Sequence, residues 1–250
     1  MAPPSATGDL AAAPPGGGRV APLLSGDPAT LGPYRLLGRL GQGGMGVVYL
    51  GEGQGGSRVA VKAIRADLDG QPDLRERFGH EVDAARRVAR FCTAPVLDAG
   101  LDDDPPWVAS EFVDGPTLQE VVVGRGPLPA SSLEGLAVGV AGALAAIHAA
   151  GVVHRDLKPS NVLLSPVGPR VIDFGIARLD DGSATSTSAG TPAFMAPEQH
   201  EGEPVGPPAD VFAWGAMVAF AGTGRLTFGG GQAASIAYRV VYGRSRTWPG

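Results

Sequence analysis

The side chains with the clearest chemical potential lie in residues 154–161, which read His-Arg-Asp-Leu-Lys-Pro-Ser-Asn. Asp156 can accept a proton, Lys158 can neutralise developing negative charge, and Asn161 can offer an amide oxygen to a hard cation. A second carboxylate, Asp173, follows shortly and opens an Asp-Phe-Gly sequence. Because transfer of a phosphoryl group from ATP needs a proton acceptor and two hard oxygen ligands at this spacing, we predict that chemistry.

A glycine-rich segment upstream could cover the phosphates of a nucleotide. It contains Gly41, Gly43 and Gly46, with Val48 following. The pattern is weak alone, because 39 of 250 residues are Gly and a plain hairpin turn would also explain it. Lys62, in the next predicted strand, strengthens the phosphate interpretation, since a buried ammonium needs an anionic partner. A lysine that reaches solvent from a sheet edge is the alternative.

These motifs together resemble those of the bacterial Ser/Thr protein kinases found in actinobacteria. The resemblance extends from about Tyr34 to Tyr242 and includes residues 190–198, Gly-Thr-Pro-Ala-Phe-Met-Ala-Pro-Glu, and residues 210–215, Asp-Val-Phe-Ala-Trp-Gly. It implies an α+β, bilobal protein-kinase-like fold, with an antiparallel sheet in the N-terminal lobe and a mostly helical C-terminal lobe. It also implies ATP and Mg²⁺ as cofactors, and protein Ser/Thr hydroxyls, including the chain's own, as acceptors.

The same resemblance implies a role for each site residue. Asp156, Lys158 and Asn161 would be catalytic, and Asn161 and Asp173 would bind the metal. Lys62 would bind the ATP phosphates and pair with the Glu81 carboxylate. The residues expected to form the nucleotide site are Leu40, Gly41, Gly43, Gly46, Val48, Ala60, Lys62, Glu81, Glu111, Val113, Leu163 and Asp173.

Further roles follow from the resemblance for residues around the site. His154 would be a packing residue and not a base, and Arg155 would pair with a phosphorylated activation loop. Asp210 would anchor the backbone of residues 154–161, the catalytic loop, and Ser110 would leave an open pocket behind the adenine. The Ser and Thr residues within 183–188 are candidates for autophosphorylation, although a simple polar loop explains them equally well.

The elements that must position these residues start with short β-like runs. Predicted strands cover residues 34–40, 47–51, 58–64, 96–98 and 107–112. Residues 73–90 then have helical periodicity, with Phe78, Val82 and Ala85 on one face. Because Glu81 lies one turn from Phe78 and from Ala85, we expect it to face inward.

The second half of the chain is predicted to be mostly helical. Ser131 and Glu134 form a capping-box pattern at the start of a helix that should end at Gly151. A second helix is predicted over 211–224. Since strands precede helices, we expect a sheet lobe at 33–112, a helical lobe at 113–250, and a ligand between them.

Composition limits the alternatives. A net charge of −5 makes nucleic acid a poor candidate partner, and the single Cys92 fits a reducing, cytoplasmic setting. The apolar stretches 133–151 and 211–224 are better explained as buried helices than as transmembrane segments. The Ala-, Pro- and Gly-rich residues 1–32 are predicted to be a disordered tail.

The C-terminal end departs from the resemblance after Tyr242. We therefore expect an incomplete helical lobe, and a second hypothesis follows from it: a truncated, inactive remnant that binds a nucleotide or a partner without transferring phosphate. A small-molecule phosphotransferase would share Asp156, Asn161 and Asp173 but would not need the segment 191–198.

Overall fold

The computed structural model describes residues 20–43, 46–64, 72–88, 93–173 and 192–243, without the side chains of 72–75 and 77. A six-stranded antiparallel sheet comes first, and most of the helices follow it. The predicted α+β class is confirmed.

The sheet contains every strand predicted from the sequence. Its strands are β1 (Thr30–Leu31), β2 (Tyr34–Gly43), β3 (Gly46–Glu52), β4 (Arg58–Ile64), β5 (Val96–Gly100) and β6 (Trp107–Glu111), in the order β1-β2-β3-β4-β6-β5. β2 and β3 are longer than predicted because their pairing continues into the glycine-rich segment, where Gly43 lies opposite Gly46.

The alternation of side chains along β4 decides which of them face the predicted nucleotide site. Val59, Val61 and Ala63 are buried in a core on one face of the sheet. Ala60 and Lys62 are half-buried and point to the other face, because successive strand residues alternate. Lys62 is therefore presented away from the apolar core of its own sheet.

The first helix, α1 (Pro72–Arg86), lies where the periodicity predicted it. Phe78, Val82 and Ala85 are buried in the main core, which also contains Met217 from a later helix. The predicted end at residue 90 is wrong, because the helix ends at Arg86 and the next two residues form a turn, in which the amides of residues 87 and 88 donate to carbonyls three residues earlier. The burial of this face holds Glu81, on the same helix, near the catalytic loop.

The remaining elements are α2 (Leu118–Arg125), α3 (Ala130–Ala149), β7 (Val162–Ser165), β8 (Gly168–Val171), α4 (Pro197–Glu201), α5 (Pro207–Thr223) and α6 (Ala233–Tyr242). The predicted capping box of α3 is wrong. The helix begins at Ala130 behind Pro129, whose side chain makes no capping hydrogen bond. The capping box forms instead at α2, between Thr117 and Glu120.

The predicted stop of α3 at Gly151 is correct. Gly151 has φ +80°, and its amide donates to the His148 carbonyl, while the Val152 amide donates to the Ile147 carbonyl. These two bonds form a Schellman motif, in which a left-handed residue is most easily glycine. The chain then turns directly into the catalytic loop.

Helix α3 is the one helix in the described part of the chain that is long and apolar enough to cross a bilayer, with a mean hydropathy of 1.6. Buried core helices pass the same test. Its residues Leu136, Val140 and Leu144 pack in the main core.

The predicted disorder of residues 1–32 is wrong for residues 20–32. Ala21 pairs with Arg39 of β2, and Leu31 in β1 is only 5% exposed. The physical reason is that this segment buries Leu31 against the sheet core and pairs its backbone with the edge of β2. Residues 1–19 lie outside the described part of the chain.

Candidate functional site

The catalytic loop holds the Asp156 carboxylate between two neighbouring side chains. Lys158 Nζ donates to Asp156 Oδ2 at 2.7 Å, and Asn161 Nδ2 donates to the Asp156 carbonyl at 2.8 Å. Asn161 Nδ2 also lies 3.4 Å from Asp156 Oδ2. The Asp156 and Lys158 side chains remain 15% and 18% exposed. The three predicted catalytic residues therefore form one cluster that a substrate can reach.

Asp210 anchors the backbone that precedes this cluster. Its oxygens accept hydrogen bonds from the amides of His154 and Arg155, both at 2.8 Å, and His148 Nε2 lies 2.7 Å from the same carboxylate. Asp210 is 1% exposed. Arg155 has a φ of +63°, a left-handed conformation that is strained for a residue with a side chain. Asp210 thus stabilises the strained turn that presents Asp156.

Gln199, which the sequence analysis missed, holds the other side of that turn. Its Nε2 donates to the Arg155 carbonyl at 2.8 Å, and its Oε1 accepts from the Ala196 amide at 3.0 Å. The second bond is an ordinary helix cap, which a Gln at this position predicts. The first spans 44 residues of sequence, and no local pattern indicates it.

His154 is buried beneath the catalytic loop. It is 1% exposed, and burial lowers the pKa of its imidazole. The side chain is therefore neutral near pH 7, and its position inside the core suits a packing residue.

Lys62, in the sheet, pairs with Asp173, the second carboxylate predicted for the site. Lys62 Nζ lies 3.4 Å from Asp173 Oδ2, which joins β4 to the segment after β8. Asp173 also has a left-handed backbone, with φ +58°. Phe174 and Gly175, which complete the motif, lie outside the described residues.

The predicted pair between Lys62 and Glu81 is wrong for this conformation. Within the described part of the chain, Glu81 Oε1 accepts a hydrogen bond from Arg155 Nη1 at 3.1 Å, while Lys62 pairs with Asp173. A guanidinium offers several donors in a planar fork, so Arg155 can bind Glu81 across the gap between α1 and the catalytic loop.

Burial raises the pKa of the Glu81 carboxyl, and Arg155 acts against that rise. Among the described residues, the buried Oε2 of Glu81 has no hydrogen-bond partner. Glu81 therefore keeps one oxygen free to accept another donor.

The glycines of the phosphate-covering segment differ in what they permit. A Cβ at Gly46, where φ is +144°, would lie 1.9 Å from the Ala63 carbonyl oxygen, so only glycine fits. A Cβ added at Gly41 or Gly43 would have no atom within 4 Å, so the space beside these two strand residues is open. Residues 44 and 45 lie outside the described part.

The four apolar residues predicted to enclose the adenine are half-buried: Leu40, Val48, Ala60 and Leu163. None belongs to either core cluster of the described residues. Strand pairing places Ala60 opposite Ser110 and next to the end of β6, where Glu111 lies and after which Val113 follows. Partial exposure outside the cores is the environment that a ligand-lining residue needs.

Asn161 and Asp173 fit the ligand preference of Mg²⁺. Asn161 uses its Nδ2 for the Asp156 carbonyl, which leaves the amide oxygen as an acceptor. Asp173 has a carboxylate that is 38% exposed. The described residues contain no group of three His, Cys, Asp or Glu side chains suited to a metal, so a bound Mg²⁺ would need further oxygens, as nucleotide phosphates supply.

Ser and Thr residues within 183–188, and Thr191, lie outside the described residues, as does Cys92.

Comparison with known proteins agrees with the geometry. Residues 34–246 match the protein kinase domain family. The chain is 50% identical over 224 residues to the probable serine/threonine-protein kinase PkwA of Thermomonospora curvata, covering 88% of this chain and 30% of that protein. It is 47% identical over 223 residues to the serine/threonine-protein kinase AfsK of Streptomyces coelicolor, covering 88% and 28%.

A solved structure has the same fold. The kinase domain of PknI from Mycobacterium tuberculosis superimposes with a TM-score of 0.66 at 26% identity, over 89% of this chain and 91% of that one. The chain spans less than a third of the length of the two curated relatives above.

Proposed function

Because the chain belongs to the protein kinase domain family, we propose that it transfers the γ-phosphate of ATP to Ser and Thr hydroxyls of proteins, its own included. The observation that carries this proposal is the cluster of Asp156, Lys158 and Asn161, in which Asp156 is held at 2.7 Å from the Lys158 ammonium. Its relatives bear the name serine/threonine-protein kinase.

In the proposed reaction, Asp156 orients the acceptor hydroxyl and takes its proton. The hydroxyl oxygen forms a bond to the γ-phosphorus, and the bond from that phosphorus to the ADP oxygen breaks. Lys158, already beside Asp156, would stabilise the charge that develops on the transferred group.

Lys62 would bind the phosphates of ATP, with the backbone of Gly41, Gly43 and Gly46 above them. Asn161 and Asp173 would hold Mg²⁺, which would supply charge neutralisation at the phosphates. Leu40, Val48, Ala60 and Leu163 would enclose the adenine, and the backbones of Glu111 and Val113 would bind its edge. The reaction would be cytoplasmic, since a single cysteine suits a reducing compartment.

Arg155 gives the proposed enzyme a means of control. Its guanidinium pairs with Glu81 at 3.1 Å. A phosphate on a Ser or Thr within 183–188 carries nearly two negative charges and would compete for that guanidinium. Release of Glu81 would then allow its carboxylate to pair with Lys62, as the family resemblance implies.

The test is incubation of the purified chain with Mg-ATP and a generic protein substrate, beside an Asp156→Asn variant. We expect phosphoserine and phosphothreonine in the wild-type reaction and none with the variant. Absence of transfer by a folded wild-type chain that still binds nucleotide would overturn the proposal and favour a binding remnant. Transfer that persists in Asp156→Asn would remove Asp156 from the mechanism.

A further inference from the structure

A segment outside the matched family region runs along the edge of the sheet. We call residues 20–31 the N-terminal strap; the family match begins only at residue 34. The Ala21 amide donates to the Arg39 carbonyl at 2.8 Å, and the Arg39 amide donates to the Ala21 carbonyl at 2.7 Å. A Cβ at Gly38 would lie 2.4 Å from Val20 Cγ1, so the strap lies directly against β2.

One carboxylate fixes the strap to the two strands that carry the glycine-rich segment. Asp27 accepts hydrogen bonds from Arg39 Nε at 2.6 Å, Arg39 Nη2 at 2.5 Å, the Tyr49 hydroxyl at 2.8 Å and the Leu24 amide at 2.8 Å. The Asp27 side chain is 3% exposed. The Arg39 guanidinium holds the pKa of this carboxyl well below its usual range. Asp27 is therefore ionised and fully bonded.

The same guanidinium reaches into the glycine-rich segment. Arg39 Nη1 donates to Gln42 Oε1 at 3.0 Å. Gln42 is exposed and lies between Gly41 and Gly43. A Cβ added at either of these two glycines would have no atom within 4 Å. Arg39 thus divides its donors between the buried Asp27 and Gln42, which lies in β2 near the tip of the β2–β3 hairpin.

We propose that Asp27 and Arg39 are positioning residues for ATP, acting through Gln42. Glycine-rich backbone has high conformational freedom, and ordering it around phosphates opposes binding. Because Asp27 already fixes the Arg39 guanidinium, the bond from Arg39 to Gln42 can hold the glycine-rich segment near the conformation that binds ATP. Less of the affinity for ATP is then lost to ordering the backbone. The inference deepens the proposed function and rests on it, because it concerns the nucleotide of that site.

A purely structural strap would behave differently. It would affect the stability of the sheet lobe when Asp27 changes, but it would leave nucleotide affinity unaltered in folded protein. It would also give Gln42 no role, since Gln42 is exposed and contributes no burial.

The experiment measures the Kd for Mg-ATP by calorimetry with the full chain, which needs no phosphate transfer. The variants are Asp27→Asn, Gln42→Ala and the double variant, each checked for folding by circular dichroism. Arg35→Gln is the matched control, because it breaks the side-chain ion pair with Glu52 between the same two strands and leaves the hydrogen bonds among Asp27, Arg39 and Gln42 in place.

We expect each single variant to raise the Kd for Mg-ATP about three- to tenfold, the range of one lost hydrogen bond. The Kd of the double variant should not exceed the larger of the two single-variant values, because both substitutions break the same chain of contacts. The control should stay within twofold of wild type. If Asp27→Asn does not fold, Gln42→Ala alone decides, because its side chain is exposed.

An unchanged Kd for Gln42→Ala, or a double variant whose effect is the product of the two single ones, would overturn the inference while leaving the proposed kinase activity intact. A wild-type chain that binds Mg-ATP but transfers no phosphate would overturn the proposed function alone. A folded wild-type chain that binds no Mg-ATP would overturn both.

Discussion

Replacing Gln199 with Glu should separate positioning of the catalytic loop from stability of the fold. The variant keeps an oxygen for the Ala196 amide but loses the donor that binds the Arg155 carbonyl at 2.8 Å. A carboxylate in that position also repels the carbonyl. The left-handed backbone of Arg155, with φ +63°, then loses the bond at its carbonyl and keeps the bond from its amide to Asp210.

The expected magnitudes differ for the two properties. Loss of the bond, with a carbonyl left unpaired, should lower the free energy of unfolding by about 1–3 kcal/mol. A domain of ordinary stability, about 5 kcal/mol or more, would remain roughly 95% folded or better. A shift of Asp156 by about 1 Å can lower the rate on the order of 100-fold. We therefore expect kcat to fall about 10- to 100-fold in protein that is still folded.

The assay compares kcat with the urea midpoint for wild type, Gln199→Glu and a control, His200→Gln. His200 lies in the same helix and contacts the Pro192 carbonyl at 3.1 Å, away from Arg155. We expect the control to keep kcat within about twofold of wild type. The reasoning is refuted if Gln199→Glu also keeps its kcat, or if both variants lose it equally.

Four further predictions concern anchoring, pH, packing and ligand access. Asp210→Ala leaves one buried and one partly buried backbone amide without their acceptor and should lower the free energy of unfolding by about 2–5 kcal/mol in urea titrations. Burial raises the pKa of the Glu81 carboxyl, so the native state of the wild type loses stability as the pH rises through that pKa. The free energy of unfolding of Glu81→Gln should therefore increase relative to that of the wild type between pH 4 and pH 7. A difference between the two proteins that stays constant with pH would contradict this. Phe78→Ala, at a fully buried position, should cost about 3–5 kcal/mol in the same titrations. Ser110→Phe should abolish binding of adenine analogues with bulky substituents but retain ATP, as measured by competition; equal binding by both proteins would oppose an open pocket behind Ser110.

Local patterns were sufficient for most of the fold. The β-like run 58–64 predicted β4, which contains Lys62, and the period of residues 73–90 predicted that Phe78 and Val82 share one face of α1, which is buried. The stop of α3 at Gly151 followed from a glycine at the point where a left-handed residue is needed. These features depend on a few neighbouring residues, so one sequence contains them.

Choices among distant partners could not be predicted in that way. The resemblance implied that Glu81 pairs with Lys62, and only the three-dimensional arrangement shows that it pairs with Arg155. The bond from Gln199 to the catalytic loop is equally non-local. Composition also misled at the N-terminus, because burial of Leu31, backbone pairing with β2 and the buried Asp27 carboxylate order residues 20–32.

The predicted capping box failed for a related reason. Ser131 and Glu134 have the right spacing, but Pro129 starts the helix two residues earlier. Proline has a fixed φ that suits the position before a helix, so it sets the boundary without any side-chain hydrogen bond.

The most direct test of the central claim is a crystal structure of the chain with Mg²⁺ and a non-hydrolysable ATP analogue. We expect Lys62 to bind the phosphates, Asn161 and Asp173 to bind the metal, and the Asp156 carboxylate to face the γ-phosphate. A nucleotide bound elsewhere, or bound with Asp156 turned away from its terminal phosphate, would contradict it.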